Sequence, residues 1–133
     1  MPELDQSVQS LALSMFREFY RKNPVSISNI SKREFGFGTF DKKIAKRHMA
    51  FASAEALNKY IEANTPAFVS ASPAFYEDPA GRPMENKGWL GSELVFDLDA
   101  TDLHLSCQAR HGTSWVCQNC LHEVKMEAFK LIE

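Results

Sequence analysis

Apolar and polar positions follow a helical period in three parts of the chain. In residues 7–22, apolar side chains recur every three or four positions, which predicts an amphipathic helix that ends before Pro24. Ser53 is placed to cap a second helix over residues 53–64. Residues 121–133 repeat the helical spacing, so a third amphipathic helix is expected there.

Short stretches between these helices are rich in β-branched and aromatic residues. Residues 46–52 predict a short strand, and residues 67–77 predict β-structure interrupted at Pro73. Residues 78–88 have the composition of a loop, and residues 89–100 give the clearest strand. This order of elements predicts an α+β fold, because it lacks the steady alternation of a βαβ protein.

Two aspartates lie inside the last predicted strand, which reads LVFDLDA over residues 94–100. Because side chains two positions apart share one face of a strand, Asp97 and Asp99 are expected to project together. The alternate positions, Leu94, Phe96 and Leu98, are then expected to face the core. Adjacent carboxylates repel one another unless a cation lies between them, and oxygen ligands suit Mg²⁺ or Mn²⁺. The pattern therefore predicts a divalent metal site.

A simpler alternative for this segment is a strand end at which the aspartates begin a turn. Ala100, Thr101 and Asp102 follow directly and have suitable turn composition. The apolar residues on both sides of Asp97 favour the metal site over this alternative.

Composition limits the possible classes of protein. The chain has 133 residues, of which 44% are hydrophobic and 24% charged, so one domain with a real core is expected. A formal net charge of −2 gives no global argument for nucleic-acid binding, although Lys42, Lys43, Lys46 and Arg47 form a local basic run. The first ten residues are acidic and polar, unlike a secretory signal, and no stretch is apolar enough to span a membrane. A soluble, intracellular protein is expected.

The C-terminal part of the chain contains three cysteines, which lie close together in the sequence. An odd, clustered set in an intracellular chain favours metal binding over disulfides. Three thiols and one imidazole make a tetrahedral zinc set, and filling all four positions with protein groups predicts a structural site. The predicted ligands are Cys107, His111, Cys117 and Cys120.

Alternatives to this zinc site remain open at the level of sequence. The cysteines could be free thiols, or Cys117 and Cys120 could form a redox pair. His104 or His122 could replace His111 as the fourth ligand, although solvated surface positions are the default for both.

Several motifs together resemble a known family. They are REFGF at 33–37, SPAFYEDP at 72–79, MENKGWLGSELVFDLDATDL at 84–103 and CQNCLHEVK at 117–125. In this order they resemble the small, catalytic subunit of archaeal and eukaryotic DNA primases, with the archaeal form closer. The resemblance covers roughly residues 33–128. The stretch containing the two aspartates is the most specific part.

The resemblance implies roles for particular residues. Asp97 and Asp99 match the family's catalytic metal-binding pair, and Glu34 and Arg47 fall where the family contacts nucleotide or primer. The four cysteine and histidine ligands match its zinc knuckle, which spans residues 104–122. The implied fold is an incomplete primase catalytic core, in which a mixed sheet carries the Asp-x-Asp strand and helices flank it.

The resemblance also implies an activity and partners. The family synthesises short RNA primers for DNA replication from nucleoside triphosphates on a single-stranded DNA template. It uses Mg²⁺ or Mn²⁺ and works with a large subunit that carries an iron–sulfur cluster. A cytoplasmic, nucleoid-associated enzyme in an archaeon is the corresponding expectation.

The chain also departs from the family pattern. Family members are considerably longer, and their third catalytic aspartate and Ser-Gly-x-x-Gly-x-His motif lie beyond the knuckle, where this sequence has neither. Residues 1–133 are therefore expected to be the N-terminal part of the catalytic domain and to be inactive alone. The alternative functions are a non-catalytic zinc module that binds protein or nucleic acid, and a metal-dependent nuclease.

Overall fold

The computed structural model describes residues 6–132, which contain helices and small antiparallel sheets. This confirms the α+β class. The helices are α1 (Gln6–Lys22), α2 (Ala54–Asn64), α3 (Gln108–His111) and α4 (Gln118–Lys130). The strands are β1 (Phe35–Gly38), β2 (Lys46–Met49), β3 (Phe68–Ala71), β4 (Ala74–Tyr76) and β5 (Trp89–Ser92). Single 3₁₀ turns occupy Ile30–Lys32, Met84–Lys87 and Ala100–Leu103. The chain forms two compact units, of which the first ends at Leu94 and the second begins at Val95.

The first unit contains two sheets. In one, β1 is central and pairs antiparallel with β2 and β3, with Phe35 opposite Ala71. In the other, β4 pairs antiparallel with β5, with Phe75 opposite Gly91. Every strand pair in the described part of the chain is antiparallel, so the expected mixed sheet is not found there.

The core of the first unit forms between α2 and the three-stranded sheet. Ser53 accepts a hydrogen bond at 3.2 Å from the N–H of Ala56, as its predicted capping role requires. Leu57 and Ile61, four positions apart, lie on the same face of α2 and are fully buried. They join a cluster that includes Ile30, Phe35 and Phe37. Burying such a side chain stabilises the fold by about 1.5–3 kcal/mol.

The strand predicted over residues 89–100 is only partly correct, because β5 ends at Ser92. The exposed fractions of Leu94, Phe96 and Leu98 are 83%, 59% and 36%, so the expectation that they face the core is wrong. The physical reason is the lack of a partner. A strand needs a neighbouring backbone to hydrogen-bond with, and no strand among residues 6–132 pairs with residues beyond Ser92.

The second unit has almost no apolar core. Its predicted helix is confirmed as α4, although it begins at Gln118. Among the described residues of this unit, only Ala100 and Cys120 are buried. Hydrophobic burial therefore contributes little to the stability of this unit.

The length and composition of the helices bear on whether they can span a membrane. Among the described residues, none of the helices has the length and apolar character required to cross a lipid bilayer.

Candidate functional site

The Cys/His cluster lies at the short helix α3 and at the start of α4. Cys107 precedes α3 and His111 is its last residue, so the two side chains lie one helical turn apart. Cys117 is the residue before α4, and Cys120 lies in the first turn of that helix. The ligand atoms of these four residues all lie within 4.8 Å of one another.

The distances within this cluster fit a tetrahedral metal site. Cys120 Sγ lies 3.4 Å from Cys107 Sγ, 3.7 Å from Cys117 Sγ and 3.4 Å from His111 Nε2. With Zn–S bonds of about 2.3 Å and a Zn–N bond of about 2.0–2.1 Å, the edges of a tetrahedron are roughly 3.8 Å between sulfurs and 3.6 Å between sulfur and nitrogen. A disulfide would need sulfurs about 2.0 Å apart, and all three cysteines are free. The donor set therefore fits a metal ion.

The other two histidines near the cysteines lie outside this cluster. Within the described residues, the cluster is the sole group of three or more potential metal ligands, and it includes neither His104 nor His122. Both of these side chains are exposed. The structure therefore favours His111 as the fourth ligand, and Trp115 packs against its ring at a centroid distance of 4.5 Å.

Local hydrogen bonds prepare the thiols for metal binding. The backbone N–H groups at the start of α4 point toward Cys117 and lower the pKa of its thiol to about 6. A side-chain hydrogen bond from Asn119, at 3.4 Å, lowers the pKa of Cys107. A backbone hydrogen bond lowers the pKa of Cys120, but burial and the neighbouring thiols outweigh it and raise that pKa overall. The lowered pKa values shift Cys107 and Cys117 toward the thiolate form, which is the form that binds metals.

Glu34 lies at the centre of a charged cluster in the first unit. It occupies the residue before β1 and is only 8% exposed. Its Oε1 accepts a hydrogen bond at 3.1 Å from the backbone N–H of His48 and lies 3.4 Å from Nε of Arg47. Its Oε2 lies 3.4 Å from Nζ of Lys87. The structure thus brings Glu34 and Arg47, the two predicted nucleotide or primer contacts, into direct contact.

The environment of Glu34 favours its charged form. Burial alone would raise the pKa of Glu34, but the N–H of His48 and the charge of Lys87 outweigh burial and lower that pKa. A cavity of about 320 Å³ is bordered by both Glu34 and Arg47, together with Ser70 and Tyr76. The carboxylate and the half-exposed guanidinium therefore both border a space that a ligand group can enter.

Sequence reasoning missed two members of this cluster, Lys87 and His48. Lys87 falls in a segment with loop composition, where a lysine is expected to be solvated. His48 has a left-handed backbone conformation with φ 58, which is uncommon for a residue other than glycine. No pattern in the sequence signals either contact, because each depends on residues distant along the chain.

Asp97 and Asp99 lie in the exposed segment after β5. Asp99 Oδ1 accepts hydrogen bonds from the N–H of Thr101 at 3.0 Å and from its hydroxyl at 2.9 Å, and so caps the 3₁₀ turn Ala100–Leu103. These bonds lower the pKa of Asp99. Asp99 therefore begins a turn, as the alternative to a metal site predicted from the sequence. Within the described residues, no third ligand group joins the two aspartates.

These observations define an α+β protein with a small Cys/His cluster whose geometry fits a metal ion. No protein-family model matches the chain. The DNA primase small subunit PriS of Pyrobaculum islandicum is 42% identical over 119 residues, covering 89% of this chain. That of Sulfurisphaera tokodaii is 33% identical over 132 residues, and that of Thermococcus kodakarensis is 42% identical over 100 residues, covering 93% and 74% of this chain respectively.

The chain therefore belongs to the DNA primase small subunit family. It spans 37% of the length of the Pyrobaculum relative, 41% of the Sulfurisphaera relative and 28% of the Thermococcus relative.

Proposed function

We propose that residues 1–133 are the N-terminal part of a primase catalytic domain that makes short RNA primers by metal-dependent nucleotidyl transfer. The observation that carries this proposal is the 42% identity to a DNA primase small subunit over 89% of the chain. The Cys/His cluster supports it, because the resemblance noted from the sequence includes a zinc knuckle in this position.

Asp97 and Asp99 are proposed as the ligands of a catalytic Mg²⁺ or Mn²⁺ ion. Both side chains are exposed, so their carboxylates are accessible to an ion and to a triphosphate. When bound there, a divalent ion would supply positive charge to the reacting phosphate oxygens as a primer 3′-hydroxyl displaces pyrophosphate. The carboxylates of Asp97 and Asp99 would hold that ion in place. Asp99 keeps Oδ2 available, since only its Oδ1 accepts the Thr101 hydrogen bonds.

Glu34 and Arg47 are proposed to contact the nucleotide or the primer. The Arg47 side chain is 55% exposed, and its planar guanidinium can bind two phosphate oxygens at once. Glu34 holds Nε of Arg47 at 3.4 Å and thereby orients the group toward the neighbouring cavity.

Cys107, His111, Cys117 and Cys120 are proposed as the ligands of one structural zinc ion, within a knuckle over residues 104–122. These four protein groups would fill all four tetrahedral positions of a zinc ion, so no position would remain for a reacting water. Zinc would replace the apolar core that the second unit lacks.

The proposed partners follow from the primase function. They are a large primase subunit, a single-stranded DNA template and nucleoside triphosphates. The basic residues Lys42 and Lys43, both exposed, supply charge that can contact a nucleic-acid backbone.

The proposal is tested by Asp97→Asn and Asp99→Asn in a full-length small subunit that contains this chain. In each comparison below, the parent is the unsubstituted protein. Each variant should reduce primer synthesis at least about a hundredfold, because one charged metal ligand is lost. Asp102→Asn is the matched control, since Asp102 is exposed and lies outside the pair. A double Asp97→Asn, Asp99→Asn variant that makes primers at the parent rate would refute the catalytic role.

A second candidate function is a zinc module that binds protein or nucleic acid without catalysis. The observation that favours it is the contrast between the two predicted sites. The Cys/His ligands are gathered within 4.8 Å, whereas Asp97 and Asp99 lie on an exposed segment without a third ligand among the described residues. Unchanged primer synthesis in the asparagine variants, together with loss of partner binding in Cys117→Ser, would support this module.

A further inference from the structure

Lys87 is fully buried although it ends a segment with the composition of a surface loop. The carbonyl of Lys87 accepts a hydrogen bond at 2.9 Å from the N–H of Asp78, and Gly88 accepts one at 2.8 Å from Glu77. Gly88 has a left-handed backbone with φ 66. These contacts fix the loop end so that the Lys87 side chain points into the protein.

The Lys87 ammonium has three partners in this interior. It donates a hydrogen bond to the carbonyl oxygen of Pro79 and lies 5.5 Å from the centre of the Tyr76 ring. Its third partner is the Glu34 carboxylate, at 3.4 Å. Removing an ion from water costs several kcal/mol unless an opposite charge accompanies it. Glu34 is the partner that supplies this charge.

The two oxygens of Glu34 serve different cations. Oε2 lies against buried Lys87, and Oε1 lies against Arg47 and the backbone N–H of His48. His48 Nδ1 is also 3.6 Å from Oε1. The inner cation is fully buried, whereas the outer cation is 55% exposed. Only the outer cation is accessible to a ligand from solvent.

We propose that Lys87 is a positioning residue that neutralises Glu34 from the inner side and so leaves the charge of Arg47 available to a phosphate group. Glu34 then orients Arg47 without cancelling its charge. Without Lys87, the sole carboxylate of the cluster would pair fully with Arg47. This inference rests on the proposed contact between Arg47 and the nucleotide or primer.

The first test measures the cluster itself and needs no activity. Titration of the Glu34 carboxyl carbon by NMR in the 133-residue chain should give a pKa below the ordinary glutamate value of 4.5. Lys87→Met keeps a flexible side chain of similar length but removes the charge, so it should raise that pKa. Lys59→Met removes a charge from an exposed position on α2 and should leave it unchanged. An equal Glu34 pKa in the parent and in Lys87→Met would overturn the proposal.

The second test measures phosphate binding, with inorganic pyrophosphate as the probe. Lys87→Met should weaken binding about two- to fivefold, the range expected when Arg47 forms an exposed ion pair. Lys59→Met should bind as the parent does, and the double variant Glu34→Gln, Lys87→Met should restore the parent affinity. Failure of this restoration would overturn the proposal.

The outcomes separate this inference from the proposed function. If Arg47→Ala binds pyrophosphate as tightly as the parent, the proposed contact of Arg47 with phosphate is wrong. If Arg47→Ala loses binding while Lys87→Met keeps it, the contact stands and the role of Lys87 is wrong. If Lys87→Met fails to fold, Lys87→Gln decides, because it removes the charge but keeps a side-chain N–H that can donate to the Pro79 carbonyl. The Glu34 pKa should then rise and pyrophosphate binding should weaken, and a Glu34 pKa and affinity equal to those of the parent would refute the inference.

Discussion

Replacement of Cys117 by serine should remove most of the zinc affinity of the second unit. Structural zinc contributes about 10–16 kcal/mol to small zinc-finger peptides near pH 7. If the four ligands share this contribution evenly, losing one raises the zinc dissociation constant about 100- to 1,000-fold. Cys117 suits this test because its thiol pKa of about 6 makes it largely thiolate at neutral pH.

The same substitution should unfold much of the second unit. Ala100 and Cys120 are the only buried residues among the described residues of that unit, so little hydrophobic burial remains when the metal leaves. Competition with a chromophoric chelator measures the zinc affinity, and NMR spectra of the backbone amides report order in residues 95–132. Parent protein purified in metal-free buffer should contain about one zinc ion per chain.

A matched histidine pair provides the control. His111→Ala should lose zinc, whereas His122→Ala should retain it, because His122 is exposed and lies outside the cluster. Equal zinc loss in both variants, or a parent with almost no zinc, would refute the ligand assignment.

Two further predictions concern the first unit. Leu57→Ala should lower the free energy of unfolding of this unit by about 2–5 kcal/mol, because Leu57 is fully buried, and it should leave the zinc content unchanged. Urea unfolding measures the stability, and metal analysis measures the zinc. A cost below about 0.5 kcal/mol, as expected for the control Val8→Ala at an exposed position, would contradict the core assignment. Because folding lowers the pKa of Glu34, its carboxylate stabilises the fold at pH values above the ordinary glutamate pKa of 4.5, and this stabilisation should be lost as the pH falls through the lower pKa of the folded state. Urea unfolding from pH 7 to pH 3 should therefore show a shallower decline in the free energy of unfolding for Glu34→Gln than for the parent. An equal decline in both proteins would count against this role of Glu34.

Sequence reasoning succeeded where structure depends on neighbours along the chain. The helical period of residues 7–22, the Ser53 cap and the helix that became α4 were all predicted, since each depends on positions three or four apart. The spacing of the cysteines and His111 likewise depends on positions three or four apart. Cys107 and His111 are separated by one helical turn, and so are Cys117 and Cys120.

Long-range contacts account for what the sequence did not reveal. The Asp97 segment has the alternation of a buried strand, but strand formation depends on a partner backbone, and none pairs with it in residues 6–132. Arg33 shows the opposite case: its side chain is 1% exposed, and Glu93, sixty positions away, binds its guanidinium at 2.7 Å.

By itself, the sequence determined the α+β class, the local helices and the grouping of three thiols with one imidazole, because these depend on spacing along the chain. Only the tertiary structure decided which charges are buried and which oxygen of Glu34 each cation contacts. Lys87 reads as a surface lysine in the sequence, and it becomes a buried cation because the fold places its ammonium 3.4 Å from Glu34. Burial of a charge requires an opposite charge nearby in space, and proximity in space is a property of the fold.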